Sequence, residues 1–396
     1  MKKSSILAVL GLSGFVVMAD NWVVSPILPS IASDLGIDAV RAGLLITAYM
    51  IPFGIFQLVF GPLADRFGKR QVITVAMIAF TVGTGLSALG ATLTGLALYR
   101  ALTGVFAASV MPISLALIGD LFPVEERQTA IGTFMGVSFL GQGLSMAIGG
   151  TIAYLVSWRG VFAVYAGLSV IATALLLSTG RRIPSQRNPH SKMLAPFAGL
   201  LTRPASVLTY LVVLLEGTLI IGSFSYLGAY IARSYHFDNL IIGLIMTAFG
   251  VMAVLAGRIS GPVAARMGRR SVLAVGLILA CAADAIVFWA GGMLPMLIAG
   301  IGLLGLGFML AHSTLLTIAT EFASKARGMA MSLVAFAFMG GGGIGTAIGS
   351  RLISSGGFPL FYGTYSLALA ALVVLALVTV RDIGSESKRL VASRAE

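Results

Sequence analysis

Apolar runs long enough to cross a membrane recur along this entire chain, at about 5–30, 41–62, 71–90, 93–120, 127–154, 159–180, 205–232, 240–262, 271–291, 294–319, 327–354 and 358–380. About 20 mostly apolar residues in a helix span the ~30 Å of bilayer hydrocarbon. Dividing 396 residues by twelve spans leaves 33 for each helix with its loop, so the loops must be short. The runs are continuous and rich in Leu, Ala and Gly, which suits helices. A membrane barrel would show alternating strands of about ten residues instead. Charged residues make up only 10% of the chain, against roughly 25% in soluble domains. A water-facing surface cannot be covered with so few, so the expectation is an all-α membrane protein of twelve transmembrane helices.

The formal net charge of +12 could suggest a nucleic-acid partner. Position argues otherwise. With the N-terminus inside, Lys2, Lys3, Arg66, Lys69, Arg70, Arg127, Arg181, Arg182, Arg187, Lys192, Arg266, Arg269 and Arg270 all fall on the cytoplasmic side, with most of the remaining cations. Only Arg41, Arg159, Arg233 and Arg351 fall at outer helix ends. This is the positive-inside pattern of a membrane protein, with both termini cytoplasmic, and no nucleic acid is expected. The first run follows Lys2 and Lys3, as a signal peptide would, but it continues through Asp20 and Trp22 to Pro29 with no small-x-small cleavage site. It is expected to be retained. The single Cys281 cannot form an intrachain disulfide, and with three histidines in the chain no metal or cofactor is expected.

Self-comparison shows an internal repeat. Residues 61–70, GPLADRFGKR, match residues 261–270, GPVAARMGRR, at an offset of 200. The same offset pairs Asp38, Gly43 and Thr47 with Asp238, Gly243 and Thr247. It also pairs Gly141, Gly143 and Gly149 with Gly341, Gly343 and Gly349. An even number of helices per repeat keeps the orientation, so the halves are parallel repeats about an axis normal to the membrane. The expected organisation is a six-helix bundle over 1–180, a basic, proline-containing cytoplasmic linker over 181–204, a second bundle over 205–381 and a tail over 382–396. Two facing bundles leave a cavity that rocking can open to either side. A channel would need a selectivity filter or charge rings, which the sequence does not show.

The loop between the second and third runs carries Gly61, Asp65, Arg66, Gly68, Lys69 and Arg70. It resembles the signature loop of the major facilitator superfamily, Gly-x-x-x-Asp-Arg/Lys-x-Gly-Arg/Lys-Arg/Lys, and the degenerate copy has Ala265 in place of the aspartate. The resemblance covers the whole chain. Arg100, in LYRALTGVFAA, looks like the family's fourth-helix arginine motif. The resemblance implies that Asp65, Lys69 and Asp120 form a cluster latching the halves in an outward-open state. The basic residues alone would also suit a purely topological loop. In the fifth helix, Gly132, Gly141, Gly149 and Gly150 keep the spacing of the family's proton-antiporter motif, but Ser145-Met146 stand where Gly-Pro belongs. Gly141, Ser145 and Gly149 form a small-residue face for close packing, repeated at Gly341, Gly345 and Gly349; Gly243, Gly250 and Gly257 share a face of the eighth helix.

Ionisable residues deep in a membrane are costly and are functional candidates by default. The candidates are Asp20, Arg100, Glu216, Asp284 and His312. At 1.5 Å per residue, Asp20 and Arg100 lie at about the same depth, ~20 Å from the cytoplasmic side. In the resembled fold their helices both line the cavity, so the two are expected to pair, with Asp20 as proton site and Arg100 as its counter-charge. A static ion pair is the alternative. Glu216, near the midplane, is read as a site for a cationic substrate or a second proton. His312 is placed on the tenth helix nearer the cytoplasm, with a role in coupling or in packing. Asp284, on a helix peripheral in the resembled fold, is expected to face a neighbour or water. Trp22, Tyr49, Phe53, Gln57, Phe139, Gln142, Phe224, Tyr226 and Tyr230 offer an amphipathic cavity lining.

The resemblance points to the twelve-helix drug:proton antiporter branch. The expectation is a monomeric, multi-pass protein of the cell inner membrane that exports small amphipathic or cationic compounds in exchange for protons. The alternative is a carrier of one metabolite, such as a sugar, nucleoside, amino acid or lipid-like molecule. A receptor or scaffold would call for a soluble domain that the sequence does not display. No nucleophile–base set, phosphate loop or metal spacing suggests an enzyme.

Overall fold

The computed structural model describes residues 3–178, 200–202, 204–322 and 327–380. The linker expected over 181–204 lies almost wholly outside these residues, as does the tail over 382–396.

Among the described residues, twelve helical spans cross the molecule. The first, α1, runs Lys3–Trp22 and continues as Val24–Asp34; α2 is Ala39–Ala42 followed by Leu44–Phe67; α3 is Lys69–Ala88. Next come α4 (Leu93–Ala107 and Val110–Leu121), α5 (Val124–Leu155) and α6 (Trp158–Ser178). The second half begins with α7, whose pieces are Pro204–Glu216, a π-helical turn Gly217–Ile221, Gly222–Ser225 and Leu227–Tyr235. It continues through α8 (Asn239–Met267), α9 (Arg269–Ala290) and α10 (Leu294–Phe322). One helical stretch, Arg327–Thr379, is broken at Gly356 and Gly357, where φ and ψ leave the helical region, so it contributes α11 (327–355) and α12 (358–379).

Prolines explain two of the interruptions. Pro26 has no N–H to give the carbonyl of Trp22, and α1 breaks at Val23. Pro112 likewise leaves the carbonyl of Ala108 without its helical partner, and α4 breaks at Ala108 and Ser109. The repeat is visible in the turns. Gly68 (φ 99°) and Gly268 (φ 80°) each reverse the chain in a single residue, in a conformation that a Cβ would oppose. At the other face the carboxylates of Asp38 and Asp238 cap α2 and α8, accepting from Val40 N at 2.7 Å and Ile241 N at 3.0 Å. We call these faces the turn side and the cap side.

Large apolar side chains, among them Leu98, Val75, Leu367 and Val378, are largely exposed around the outside of the bundle. A surface of that kind belongs in lipid. The halves meet along two seams built from backbone. Where α5 crosses α8, Gly143 faces Gly250, and Gly150 faces Asn239 and Gly243. Where α2 crosses α11, Gly54 lies against Gly340 and the carbonyl of Phe336. Towards the cap side hydrogen bonds also join the halves, here and between α1 and α7 or α8. Ser25 donates to the carbonyls of Phe224 and Ser225, both at 3.0 Å, and Thr47 to that of Gly343 at 3.3 Å. Asn239 bonds Ser30, and Tyr226 and Ser350 both reach the carbonyl of Val40 at 3.4 Å. Towards the turn side the glycines part. Gly61, Gly132 and Gly136 have open space where a Cβ would stand, and Gly257 lies beside Met309 of α10 rather than against α5. The molecule is closed on the cap side, and the seams separate towards the turn side.

Candidate functional site

Inside the first half, Arg100 of α4 reaches across to α1. Its Nη1 donates to Asp20 Oδ2 at 2.7 Å and its Nη2 to the Asp20 backbone carbonyl at 3.2 Å. The guanidinium is held between aromatic faces, 4.3 Å from the ring of Tyr49 on α2 and 5.4 Å from Phe162 on α6. Asp20 is 0% and Arg100 1% exposed, so neither charge is solvated and each depends on the other. The pair is incompletely satisfied: Asp20 Oδ1, Arg100 Nε and the hydroxyls of Tyr49 and Tyr165 have no hydrogen-bond partner among the described residues. The equal depths counted from the sequence therefore correspond to a direct contact.

In the second half Glu216, also 0% exposed, meets His312 Nδ1 through Oε2 at 3.2 Å. Its Oε1 has no partner among the described residues. The sequence reading named both residues as coupling candidates without pairing them. The imidazole lies 4.2 Å from the ring of Phe338 and 5.4 Å from Phe308. From there rings continue to the other half: Phe308 to Phe249 at 5.6 Å, Phe249 to Phe224 at 4.6 Å, and Phe224 to Trp22 of α1 at 5.0 Å. Trp22, the next residue but one after Asp20, thus docks into the aromatic face of α7, α8 and α10. Glu216 and His312 stand at the end of this wall, with His312 13% exposed. The site brings together a carboxylate oxygen, an imidazole and several ring faces.

The signature loop forms a third polar cluster. Lys69 bonds Asp120 at 2.6 Å and lies 4.0 Å from Asp65. All three residues belong to the first half. In this conformation the cluster ties α2, α3 and α4 together rather than bridging the halves, and Gly61 and Arg66 make no cross-half hydrogen bond among the described residues. The exposure of Asp65 and Asp120, at 53% and 52%, leaves the ion pair well screened.

The residues read as lining divide. Trp22 and Phe224 belong to the aromatic wall, and Phe53 stacks on Tyr49 at 5.7 Å beside Arg100. Gln57 and Gln142 are buried, and Gln142 Nε2 has no described partner. Phe139 is half-buried against the core. Tyr226 is a seam residue whose hydroxyl donates to Thr346 O at 2.9 Å. Tyr230 does not line a cavity between the halves, because it packs on Phe358 and Tyr362 of α12 at 5.3 and 5.6 Å. Of the two surroundings expected for Asp284, a neighbour or water, the structure gives the neighbour: it is 1% exposed and accepts a hydrogen bond from Ser223 of α7. Sequence reading missed Phe249, Phe308 and Phe338, whose partnership is tertiary; the i,i+4 spacing of Phe308 and His312 was its one local sign. It also passed over Arg258, an exposed cation within the α8 span.

The sequence matches the family model of the Major Facilitator Superfamily over residues 10–230 and again over 209–395. The chain belongs to the Major Facilitator Superfamily. As a member of this superfamily it is a multi-pass membrane transporter of small molecules and not an enzyme. It is 27% identical over 394 residues to the uncharacterized MFS-type transporter YceJ of Bacillus subtilis, covering 96% of this chain and 97% of the relative. The puromycin resistance protein pur8 of Streptomyces alboniger is 35% identical over 167 residues, which is 42% of this chain and 33% of pur8. Among solved structures, a bacterial homologue of the human lysosomal transporter Spinster, in an inward-facing and occupied conformation, superposes with a TM-score of 0.75 at 16% identity. That match covers 96% of this chain and 95% of the other. The nucleoside transporter NupG superposes with a TM-score of 0.74 at 14% identity, over 94% and 98% of the two chains. These two likenesses establish the fold alone.

Proposed function

We propose that this transporter is a proton-coupled exporter of small amphipathic or cationic compounds, working by alternating access. The observation that carries the reading is Glu216: a fully buried carboxylate with one oxygen unpartnered among the described residues, set at the end of an aromatic wall shared by both halves. A lipophilic cation gains from each part of such a site, through charge at Glu216 and through cation–π and apolar contact at Phe308 and Phe338. The partial relatives include the puromycin resistance protein and the multidrug resistance protein fnx1 of Schizosaccharomyces pombe, which supports this substrate class. The positive-inside pattern puts the turn side in the cytoplasm, so the described conformation would face inward. Exchange of a proton at Asp20 would make or break its bond to Arg100, and we assign coupling to that pair. Lys69 with Asp65 and Asp120 would engage the second half when the turn side closes.

A second reading, transport of one polar metabolite, draws on buried amides between the seams. Both polar atoms of Asn21, and Nε2 of Gln142, have no described partner and could bind hydroxyl groups. The test is transport in proteoliposomes with an acidic lumen. Cationic dye should accumulate only while the gradient lasts. No dye uptake, with a response to a single sugar or nucleoside, would replace the first reading by the second.

A further inference from the structure

Helix α7 makes two polar contacts seven residues apart. Glu216 meets His312 of α10, and Ser223 donates to Asp284 of α9. In an uninterrupted α-helix, residues i and i+7 fall within about 20° of the same face. Between these two lies the π turn Gly217–Ile221, which inserts an extra residue into the helical path and rotates the residues beyond it. The turn lets one helix address two different neighbours. It is clasped by α11, since Gly217 abuts the carbonyl of Phe338 and Gly345 that of Thr218.

Asp284 differs from the other buried carboxylates. Asp20 has Arg100 and Glu216 has His312, but no Lys, Arg or His contacts Asp284 among the described residues. The groups that face it are the hydroxyl of Ser223 from α7 and, within electrostatic reach, Tyr362 and Tyr365 from α12. Tyr230 packs on the far face of Tyr362. Cys281, one turn away on α9, is engaged with Ser366. From α10, Gly300 packs on Ala283, and the ionisable residues of that helix are His312, already paired with Glu216, and Glu321. The Oδ2 of Asp284 and the hydroxyl of Tyr362, both buried, have no hydrogen-bond partner among the described residues. At the repeat offset of 200 Asp284 corresponds to Thr84, so the charge is not a requirement of the shared scaffold. An ionised carboxylate in such surroundings is strongly disfavoured, whereas a protonated one is neutral and can be held by Ser223.

We propose that Asp284, with Ser223, is a proton-binding site separate from Asp20, loaded while α7 is packed against α9 and emptied when the π turn moves away. The proton binds Oδ2, the oxygen that Ser223 leaves free, and departs to water that enters as α7 withdraws. One carboxylate and one hydroxyl are too few oxygens to replace the shell of a metal cation, so the ligand is the proton. Through α7 its loading bears on the position of Glu216. The site does not depend on which substrate the transporter carries.

Infrared difference spectra of the purified full-length protein in lipid, taken between acidic and alkaline buffer, test this directly. The wild type should show the C=O stretch of a protonated, buried carboxyl that disappears on the alkaline side. Asp284→Asn should remove that band, Ser223→Ala should shift it, and Asp20→Asn should leave it in place. Hydrogen–deuterium exchange over Gly217–Ile221, corrected for intrinsic rate, should rise severalfold at alkaline pH in the wild type and lose that rise in Asp284→Asn. Spectra of Asp284→Asn that superpose on wild type would overturn the proposal. Should Asp284→Asn fail to fold, an unshifted band in Ser223→Ala would overturn it equally.

Discussion

Arg100 holds Asp20 at two points, the carboxylate and the residue's own backbone carbonyl. The charge pair and the helix that carries it are therefore fixed by one guanidinium, just before α1 breaks at Val23. Asp20→Asn keeps the shape but removes the charge, leaving Arg100 buried without its counter-ion. Breaking a buried pair on one side typically costs about 3–5 kcal/mol, and the amide oxygen that remains should hold the loss to the lower end. Gradient-driven dye uptake should fall to the level of empty liposomes while dye binding stays within about twofold. Uphill transport by Asp20→Asn would refute the assignment of coupling to this pair.

Glu216→Gln removes the carboxylate that pairs with His312 at the end of the aromatic wall. Dye affinity, read by fluorescence titration, should fall by about tenfold or more, the equivalent of ~1.4 kcal/mol. Protons and cations compete for the same carboxylate, so wild-type affinity should weaken as pH falls and that dependence should flatten in Glu216→Gln. An unchanged affinity with an unchanged pH profile would remove Glu216 from the site.

Gly250 meets Gly143 so closely that an added Cβ would stand 2.6 Å from the Gly143 Cα. Gly250→Val should wedge the cap-side seam apart. Overpacking of this kind costs about 1–3 kcal/mol, and each ~1.4 kcal/mol shifts a conformational ratio tenfold. Spin-label distances across the cap side should lengthen and those across the turn side shorten. Unmoved distances would mean that this contact does not limit the seam.

Lys69→Ala separates a topological loop from a latch. A solvent-screened ion pair such as Lys69–Asp120 contributes about 0–1 kcal/mol, so the melting temperature should change little. If the cluster engages the second half when the turn side closes, transport should nonetheless fall at least tenfold. Transport that tracks the small stability change would leave only the topological role.

Much of the architecture could be read from the sequence because it repeats. The offset of 200 puts Gly68 and Gly268 at equivalent turns and Asp38 and Asp238 at equivalent caps. Asp20 and Arg100 could be matched because depth along a straight helix needs only counting. The contact of Ser223 with Asp284 could not, and α7 explains why. A helical wheel drawn through Gly217–Ile221 assigns the wrong face to everything beyond it, and no residue in GTLII announces a π turn. Ser223 lies past the turn, so its contact with Asp284 is beyond such a wheel. The ring-to-ring path from Trp22 to His312 joins five helices and leaves no single pattern in any of them.

The seams between the halves are built largely of glycine against glycine or carbonyl. A joint between side chains must freeze rotamers each time it forms, at up to about 1.5–2 kcal/mol for a long flexible side chain. Gly143 on Gly250 and Gly54 on Gly340 have no rotamers to lose. These glycine contacts then close and open with almost no side-chain entropy in either direction, and the side chains that must be ordered are those of the cap-side hydrogen bonds, such as Ser25, Thr47 and Asn239. A clasp built mostly of such contacts leaves much of the balance between states to be set by what binds, whether proton or cargo.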